Sequence, residues 1–345
     1  MTQGASMALT AAVLFGAGAA ACKALLPSVH PALLAGLLYV SSGTALSLVV
    51  WRRRRGAAPG APLRGKHLPW LGAAIACGGV AAPVLLMLGL ARLPASNASL
   101  LLALEAPLTA VIAALVFGET LGRRTAAALL LVTAGACVLG WSGGRVSVSM
   151  AGALYTAAAC LLWALDNNFS AKLSELDPVM TAALKSLPAG LVNVALALSF
   201  GAALPRGPVI LAVAVAGTLS YGASLVLYLA ALQRLGAGRT ALFFSIAPFA
   251  GAGLAVLLLQ EPLTARLLVA AALAALGAIL AATERHEHWH IHREEHEHEH
   301  QHDEHHVHEH VGSVPPPLRH AHHHSHAGTA HRHPHFPDLH HRQDH

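Results

Sequence analysis

Charged side chains are scarce in this chain: Asp, Glu, Lys and Arg make up 11% of its 345 residues, where an ordinary soluble domain carries about 25%. Hydrophobic residues make up 55% and the mean hydropathy is +0.55, so most of the chain is built to live in lipid. Cysteine is also sparse. Cys22, Cys77, Cys137 and Cys160 each lie in an apolar stretch, none in a CxxC spacing, which argues for small packing residues and against a disulfide framework or a thiol metal site. No GxxxxGK[ST], HExxH or GxSxG occurs; ATP-driven pumping and the common membrane hydrolase chemistries therefore lack their residues. No Lys or Arg precedes Lys23. The basic n-region of a signal peptide is missing, and the first apolar stretch is expected to be retained as a span.

The charges that are present divide unevenly. Residues 1–282 hold 17 Lys and Arg against 6 Asp and Glu, whereas 283–345 hold 5 against 11, with 23 of the 25 His. Two solvents are implied: lipid for a basic membrane domain and water for a tail. A helix that crosses about 30 Å of hydrocarbon needs roughly 20 apolar residues, which places ten spans at 5–25, 31–51, 68–90, 96–117, 122–141, 150–171, 179–200, 208–231, 239–259 and 264–282. The loop 52–67 carries Arg52, Arg53, Arg54, Arg55, Arg64 and Lys66, and such short basic loops stay on the cytoplasmic side. With it inside, Arg123, Arg124, Arg234 and Arg239 also fall inside, and both termini are cytoplasmic. This basicity belongs to lipid and insertion topology and gives no reason to expect nucleic acid. Trp51, Trp70 and Trp141 sit at span ends, as interfacial indoles do; Trp163 lies well inside the sixth span. Pro83, Pro107, Pro188 and Pro248 fall inside spans and should kink or unwind them where freed carbonyls line a cavity.

One segment occurs twice. Arg92, an apolar stretch with Pro107, and Glu119 are answered by Arg234, Pro248 and Glu261; Arg92 to Arg234 and Glu119 to Glu261 are both offsets of 142 residues, with a one-residue slip at the prolines. A unit of five helices repeated in tandem enters the membrane the second time from the other side, and such inverted repeats suit alternating access to a midplane site. The expected organisation is a first repeat over 1–145, a second over 146–282 and a tail over 283–345. The fold class is an all-α membrane protein of ten transmembrane helices in two inverted five-helix repeats, plus a disordered His-rich tail.

These residues resemble the EamA-type family of the drug/metabolite transporter superfamily. Its repeat ends in an acid ahead of a Gly-rich helix, as in Glu119-Thr120-Leu121 before Gly135 and Glu261-Pro262-Leu263 before Gly277. Its first helix carries an aromatic about eight residues before a Lys, which Phe15 with Lys23 match, and Trp163 with Lys172 match with one extra residue. Its second helix begins with a Pro followed seven residues on by a cation, as in Pro178 and Lys185; Pro31 is followed at that spacing by Leu38, so the first copy departs. The resemblance covers about residues 5–282. It implies ten helices around a central cavity and transport, often export, of small organic solutes.

Ionisable residues inside spans cost roughly 2.5 kcal/mol or more when they face lipid, so they turn to a cavity or a partner. Glu105, near Pro107, is the candidate for a solute or proton path; Asp166, Asn167 and Lys185 are its companions, Trp163 a candidate pocket wall, and Tyr221 and Tyr228 hydrogen-bonding groups that could orient a solute. Tyr155, Asn97 and Asn193 are read as interhelical or interfacial. Glu119 and Glu261 are read as structural, favouring the dipole of the helix that follows each. Glu105 faces Ile246 when the copies are aligned on their prolines, so the ionisable group occurs in one half only.

From 286 the chain alternates His with Glu, and His286, His288, His290, His292, His296, His298, His300, His302, His305 and His306 offer imidazoles at short spacing. Low hydrophobicity and Pro315-Pro316-Pro317 predict a tail that is unfolded when nothing binds. Neutral imidazole suits Ni, Co, Zn or Cu. No cofactor is required for transport itself and no enzymatic activity is expected. The leading expectation is thus a secondary transporter of small organic metabolites, an exporter in the inner or plasma membrane, with a metal-binding cytoplasmic tail. Its rivals are an exporter of a transition metal or metal chelate, which the lack of His in the spans disfavours, and a membrane-anchored metal sensor.

Overall fold

A backbone in hydrocarbon must satisfy its hydrogen bonds within its own segment, which leaves helices as the available element for a chain of this pattern. In the computed structural model the described residues are 3–54, 62–117, 123–140, 148–173, 176–235, 243–282, 286–292, 295–300, 320–325 and 329–335. They fall into two units, Met1–Glu284 and Arg285–His345. Among the described residues the first unit is all-helical.

Helix α1 spans Gln3–Leu25 and α2 Pro31–Arg54. α3 (Leu68–Ala74) runs through a π-helical segment, Ile75–Ala81, into α4 (Ala82–Arg92). α5 (Ala95–Leu101) runs through a 3₁₀ turn, Leu102–Leu104, into α6 (Glu105–Phe117). α7 spans Arg123–Gly140, α8 Val148–Ala171 and α9 Pro178–Ser199. α10 (Gly207–Ala216) passes through a second π segment, Gly217–Ala223, into α11 (Ser224–Leu235). α12 (Ala247–Leu258) and α13 (Ala265–Ala282) close the unit. Six helical runs are long and apolar enough to cross a membrane: Gln3–Leu25, Pro31–Arg53, Gly65–Arg92, Ala95–Val116, Pro178–Ser199 and Gly207–Tyr228. The apolar stretches in α7, α12 and α13 are shorter.

The breaks in the helices have local causes. Ala82 N–H bonds to Cys77 O, five residues back. In that register the Gly78 carbonyl would need the N–H of residue 83, which is Pro83 and has none. In the second π segment Ser224 N–H likewise reaches back to Leu219 O. Pro107 cannot donate to Ala103 O, and the 3₁₀ turn lies just ahead of it. Pro248 does not break a span as expected: it stands in the first turn of α12, whose start follows a turn at Ser245-Ile246, a position where proline's missing N–H costs nothing.

Helices pack where glycine lets backbones meet, as lipid-embedded helices require. α2 lies along α9; a Cβ on Gly36 would meet the Val194 nitrogen at 2.7 Å, and one on Gly190 the Val40 nitrogen at 2.5 Å. α7 lies along α13, where Gly277 abuts Val132. Leu33, Leu34, Leu38, Met87, Leu90 and Leu101 form the buried centre with Ala159 and Cys160 of α8, while large apolar side chains such as Leu115, Phe200 and Leu257 point outward. Trp51 and Trp70 are exposed and Trp163 is buried, which separates the interfacial indoles from the internal one.

In the second unit β1 (His286–His292) pairs antiparallel with β4 (Thr329–His335), and β2 (Glu295–His300) with β3 (His320–Ser325). The sequence reading expected unfolded chain here. The structure instead has extended, paired segments, for which a strict two-residue alternation is the matching pattern. Of the expected metal ligands, His302, His305 and His306 lie outside the described residues, as do Arg55, Glu119, Thr120, Trp141, Arg145, 236–240 and Pro315–Pro317.

Candidate solute site

The π segment Ile75–Ala81 is the scaffold. With Pro83 unable to serve the Gly78 carbonyl, side chains do: Trp163 Nε1 of α8 donates to it at 3.0 Å and the Tyr39 hydroxyl of α2 at 3.2 Å. Asn193 of α9, 1% exposed, donates to the Gly79 and Val80 carbonyls, each at 3.2 Å. Three helices are thereby tied to one stretch of irregular backbone. Gly78 also has no room for a side chain, since a Cβ there would overlap the Asp166 carboxylate.

Asp166 follows Trp163 by three residues, so both project from one face of α8. Its Oδ1 accepts from Lys185 Nζ of α9 at 2.5 Å and from the Ser170 hydroxyl at 3.0 Å; Lys185 also donates to Ser170 Oγ at 2.8 Å. Asp166 is 7% exposed. A buried charge of either sign is expensive alone, and this pair with its hydroxyl answers that cost.

Glu105 opens α6, directly after the 3₁₀ turn. Asn167 Nδ2 donates to Glu105 Oε1 at 2.9 Å and to Thr109 Oγ1 at 3.2 Å. The buried Asn168 bridges the Thr109 carbonyl, at 3.1 Å, and the Ala164 carbonyl, at 2.8 Å. The Asp166-Asn167-Asn168 run thus faces two ways, to Lys185 on one side and to Glu105 and Thr109 on the other. By helix start, Glu105 corresponds at the repeat offset to Ala247, one residue from the Ile246 that alignment on the prolines gives.

Aromatic rings continue from Tyr39. It lies 5.7 Å from Tyr221 of the second π segment, which lies 6.0 Å from Phe15 of α1; Phe15 is 5.6 Å from Phe244, and Phe244 is 4.9 Å from Tyr228 of α11. Tyr39 and Tyr228 both lie within the electrostatic reach of Glu105, so the series begins and ends near the same carboxylate. All seven residues singled out in the membrane unit, Glu105, Trp163, Asp166, Asn167, Lys185, Tyr221 and Tyr228, belong to this connected set. Sequence reasoning missed Tyr39, Thr109 and Ser170. Tyr39 was discoverable in principle, as one of four Tyr in the chain and the one with no near charge or span end to account for it. Thr109 and Ser170 carry no such signal, because hydroxyls inside membrane helices usually bond their own backbone.

Glu261 has a structural place, but not the expected one. Its Oε1 accepts from Ala95 N at 2.6 Å and its Oε2 from Ser96 N at 2.9 Å, capping the distant helix α5 in preference to α13 that follows it. Lys23 donates to the Leu90 and Leu93 carbonyls at 2.5 and 2.7 Å, closing the end of α4. The two side chains hold the α4–α5 turn from both sides, as charges of these signs do at helix ends. Among the described residues no group of three or more His, Cys, Asp or Glu is arranged to hold a metal ion.

The EamA-like transporter family matches the chain over residues 2–141 and 150–283. An uncharacterized transporter of Methanothermobacter thermautotrophicus (strain Delta H) is 28% identical over 271 residues, 74% of this chain and 78% of that one. A protein of known crystal structure, 22% identical, covers 81% of this chain and 96% of its own length at a TM-score of 0.61, a likeness of fold alone. With helices that can span a bilayer and a family match over most of its length, the chain is an integral, multi-pass membrane protein belonging to the EamA-like transporter family.

Proposed function

We propose that this chain is a secondary transporter that exports small organic metabolites by alternating access, with ten spanning helices in two inverted five-helix repeats and both termini cytoplasmic. The observation that carries the reading is the recurrence of irregular backbone at the repeat offset: Ile75–Ala81 and Gly217–Ala223 are both π segments, 142 residues apart at each end. Transporters place solute sites where such broken helices meet. Packing follows the same exchange. α4 lies on α8 and α11 on α1; α6 lies on α8 and α12 on α1; α2 pairs with α9, α7 with α13 and α5 with α12. Each pairing maps onto its counterpart when the halves are swapped, as a pseudo-two-fold axis requires. Five helices per half would make that axis lie in the membrane plane.

Glu105, Asn167 and the aromatic series are assigned to the solute, and the Lys185–Asp166–Ser170 group to holding α8 and α9 against the π segment. The test is uptake by proteoliposomes, screening amino acids, nucleosides, drugs and divalent metals with the full chain and with a chain ending at residue 284. Flux of an organic solute without metal supports the reading; flux of the metal alone favours a metal exporter, and no flux of any class sinks it. Glu105→Gln with unchanged pH dependence would remove Glu105 from any proton path.

The tail is proposed to bind Ni, Co, Zn or Cu at its histidines. The strand register sets His opposite His at 286 and 335, 288 and 333, 290 and 331, 296 and 324, 298 and 322, and 300 and 320, and directly opposed positions are close enough to share a ligand. Equal metal tolerance and equal transport with and without residues 286–345 would count against any role for the metal.

A further inference from the structure

Three ionisable groups lie inside the described helices of the membrane unit, away from their ends: Glu105, Asp166 and Lys185. Lys185 is spent on Asp166, with Ser170 as the shared hydroxyl. Glu105 has a neutral amide, Asn167, as its hydrogen-bond partner. The layer is thus one positive charge short of neutral whenever Glu105 is ionised, and an unpaired carboxylate in a low-dielectric site strongly favours a cation that can reach it. The neighbouring side chains are of the matching kind. Tyr39 and Tyr228 lie within reach of the Glu105 charge, and Tyr221, Phe15 and Phe244 link them ring to ring. Half-buried aromatic faces attract ammonium groups and pack against apolar bodies. Backbone carbonyls add no competing positive end here, because those of Gly78, Gly79 and Val80 already accept from Trp163, Tyr39 and Asn193.

We propose that the site selects organic monocations, an amine carried on an aromatic or apolar body, with Glu105 as the counter-charge and the aromatic series as the seat of the body. This rests on the transport reading for its setting, but binding tests it separately. The probes are 2-phenylethylamine, 2-phenylethanol and phenylacetate, which share a ring and differ in charge, titrated against the purified full chain in detergent at neutral pH. The expected result is at least about tenfold tighter binding of the amine than of the alcohol, with the acid weakest. In Glu105→Gln the preference should fall to within about twofold, and Phe244→Leu should weaken amine binding severalfold with Glu105 still present. Equal or better binding of the alcohol or acid, absence of binding by all three, or a preference that survives Glu105→Gln in a monodisperse protein would each overturn the proposal. Counterflow in proteoliposomes separates the two readings. Amine binding without flux leaves the selectivity standing and removes transport, whereas flux of a neutral or anionic solute in preference to the amine does the reverse.

Discussion

At the scale of single residues, the Gly78 carbonyl organises the centre of the membrane unit. It is served by two donors, Trp163 Nε1 and the Tyr39 hydroxyl, so either one alone can still satisfy it. Trp163→Phe and Tyr39→Phe should each cost about 0.6 kcal/mol, the usual worth of an interhelical hydrogen bond in a membrane protein. The double variant should cost more than the sum, because it leaves a buried carbonyl with no donor, at about 1–3 kcal/mol; thermal denaturation in detergent of all four proteins measures the coupling. Asp166 poses a harder constraint. Asp166→Asn strands the Lys185 ammonium, and removing one partner of a buried pair costs about 3–5 kcal/mol. Asp166→Asn combined with Lys185→Met should recover much of that loss, and a double variant as unstable as the single one would show that the pair is not coupled. Glu105 and Lys185 stand out in the sequence as ionisable groups in apolar runs. Which of the two acids would take the lysine was not written there, because it depends on how α8 turns against α9.

At the scale of elements, glycine positions separate close approach from open space. Gly78→Ala would drive its Cβ into the Asp166 carboxylate, so a large loss of folded, detergent-extractable protein is expected. Gly72→Ala meets nothing within 4 Å and should be neutral or stabilising by roughly 0.5–1 kcal/mol through helix propensity. The contrast between the two melting temperatures isolates packing from propensity. The cap on α5 is a second element-level device. Glu261→Ala exposes the Ala95 and Ser96 amides and should cost about 0.5–2 kcal/mol, the range for losing a helix N-cap; a melting temperature unchanged from the parent would show that other groups close α5. The matched acids Glu119 and Glu261 were visible as a pair 142 residues apart. That Glu261 reaches into the other half was not, since an acid just before a helix reads locally as serving that helix.

At the scale of the whole molecule, the chain divides into Met1–Glu284 and Arg285–His345, a division already present in the charge and histidine counts. A chain ending at 284 should therefore insert and fold with a melting temperature within a few degrees of the full protein; a marked loss would mean that the tail stabilises the helices. Within the membrane unit, the exchange of packing partners between halves is the large-scale counterpart of the 142-residue offset, and the two π segments are its most local sign.

The sequence by itself determined the solvent, the helical class, the boundary of the tail and the doubling of the unit, because each is a property of composition or of spacing along one line. The family followed from the doubled order of short motifs. What only the tertiary structure decided was partnership: Lys185 with Asp166, Glu105 with Asn167, Glu261 with α5, Lys23 with α4, and Tyr39 and Trp163 with one carbonyl. In lipid both the packed and the outward faces of a helix are apolar, so hydrophobic periodicity does not report which way a helix is rotated. Rotation about the helix axis decides which polar groups meet, and it is set by glycine-mediated contact with helices far away in the chain.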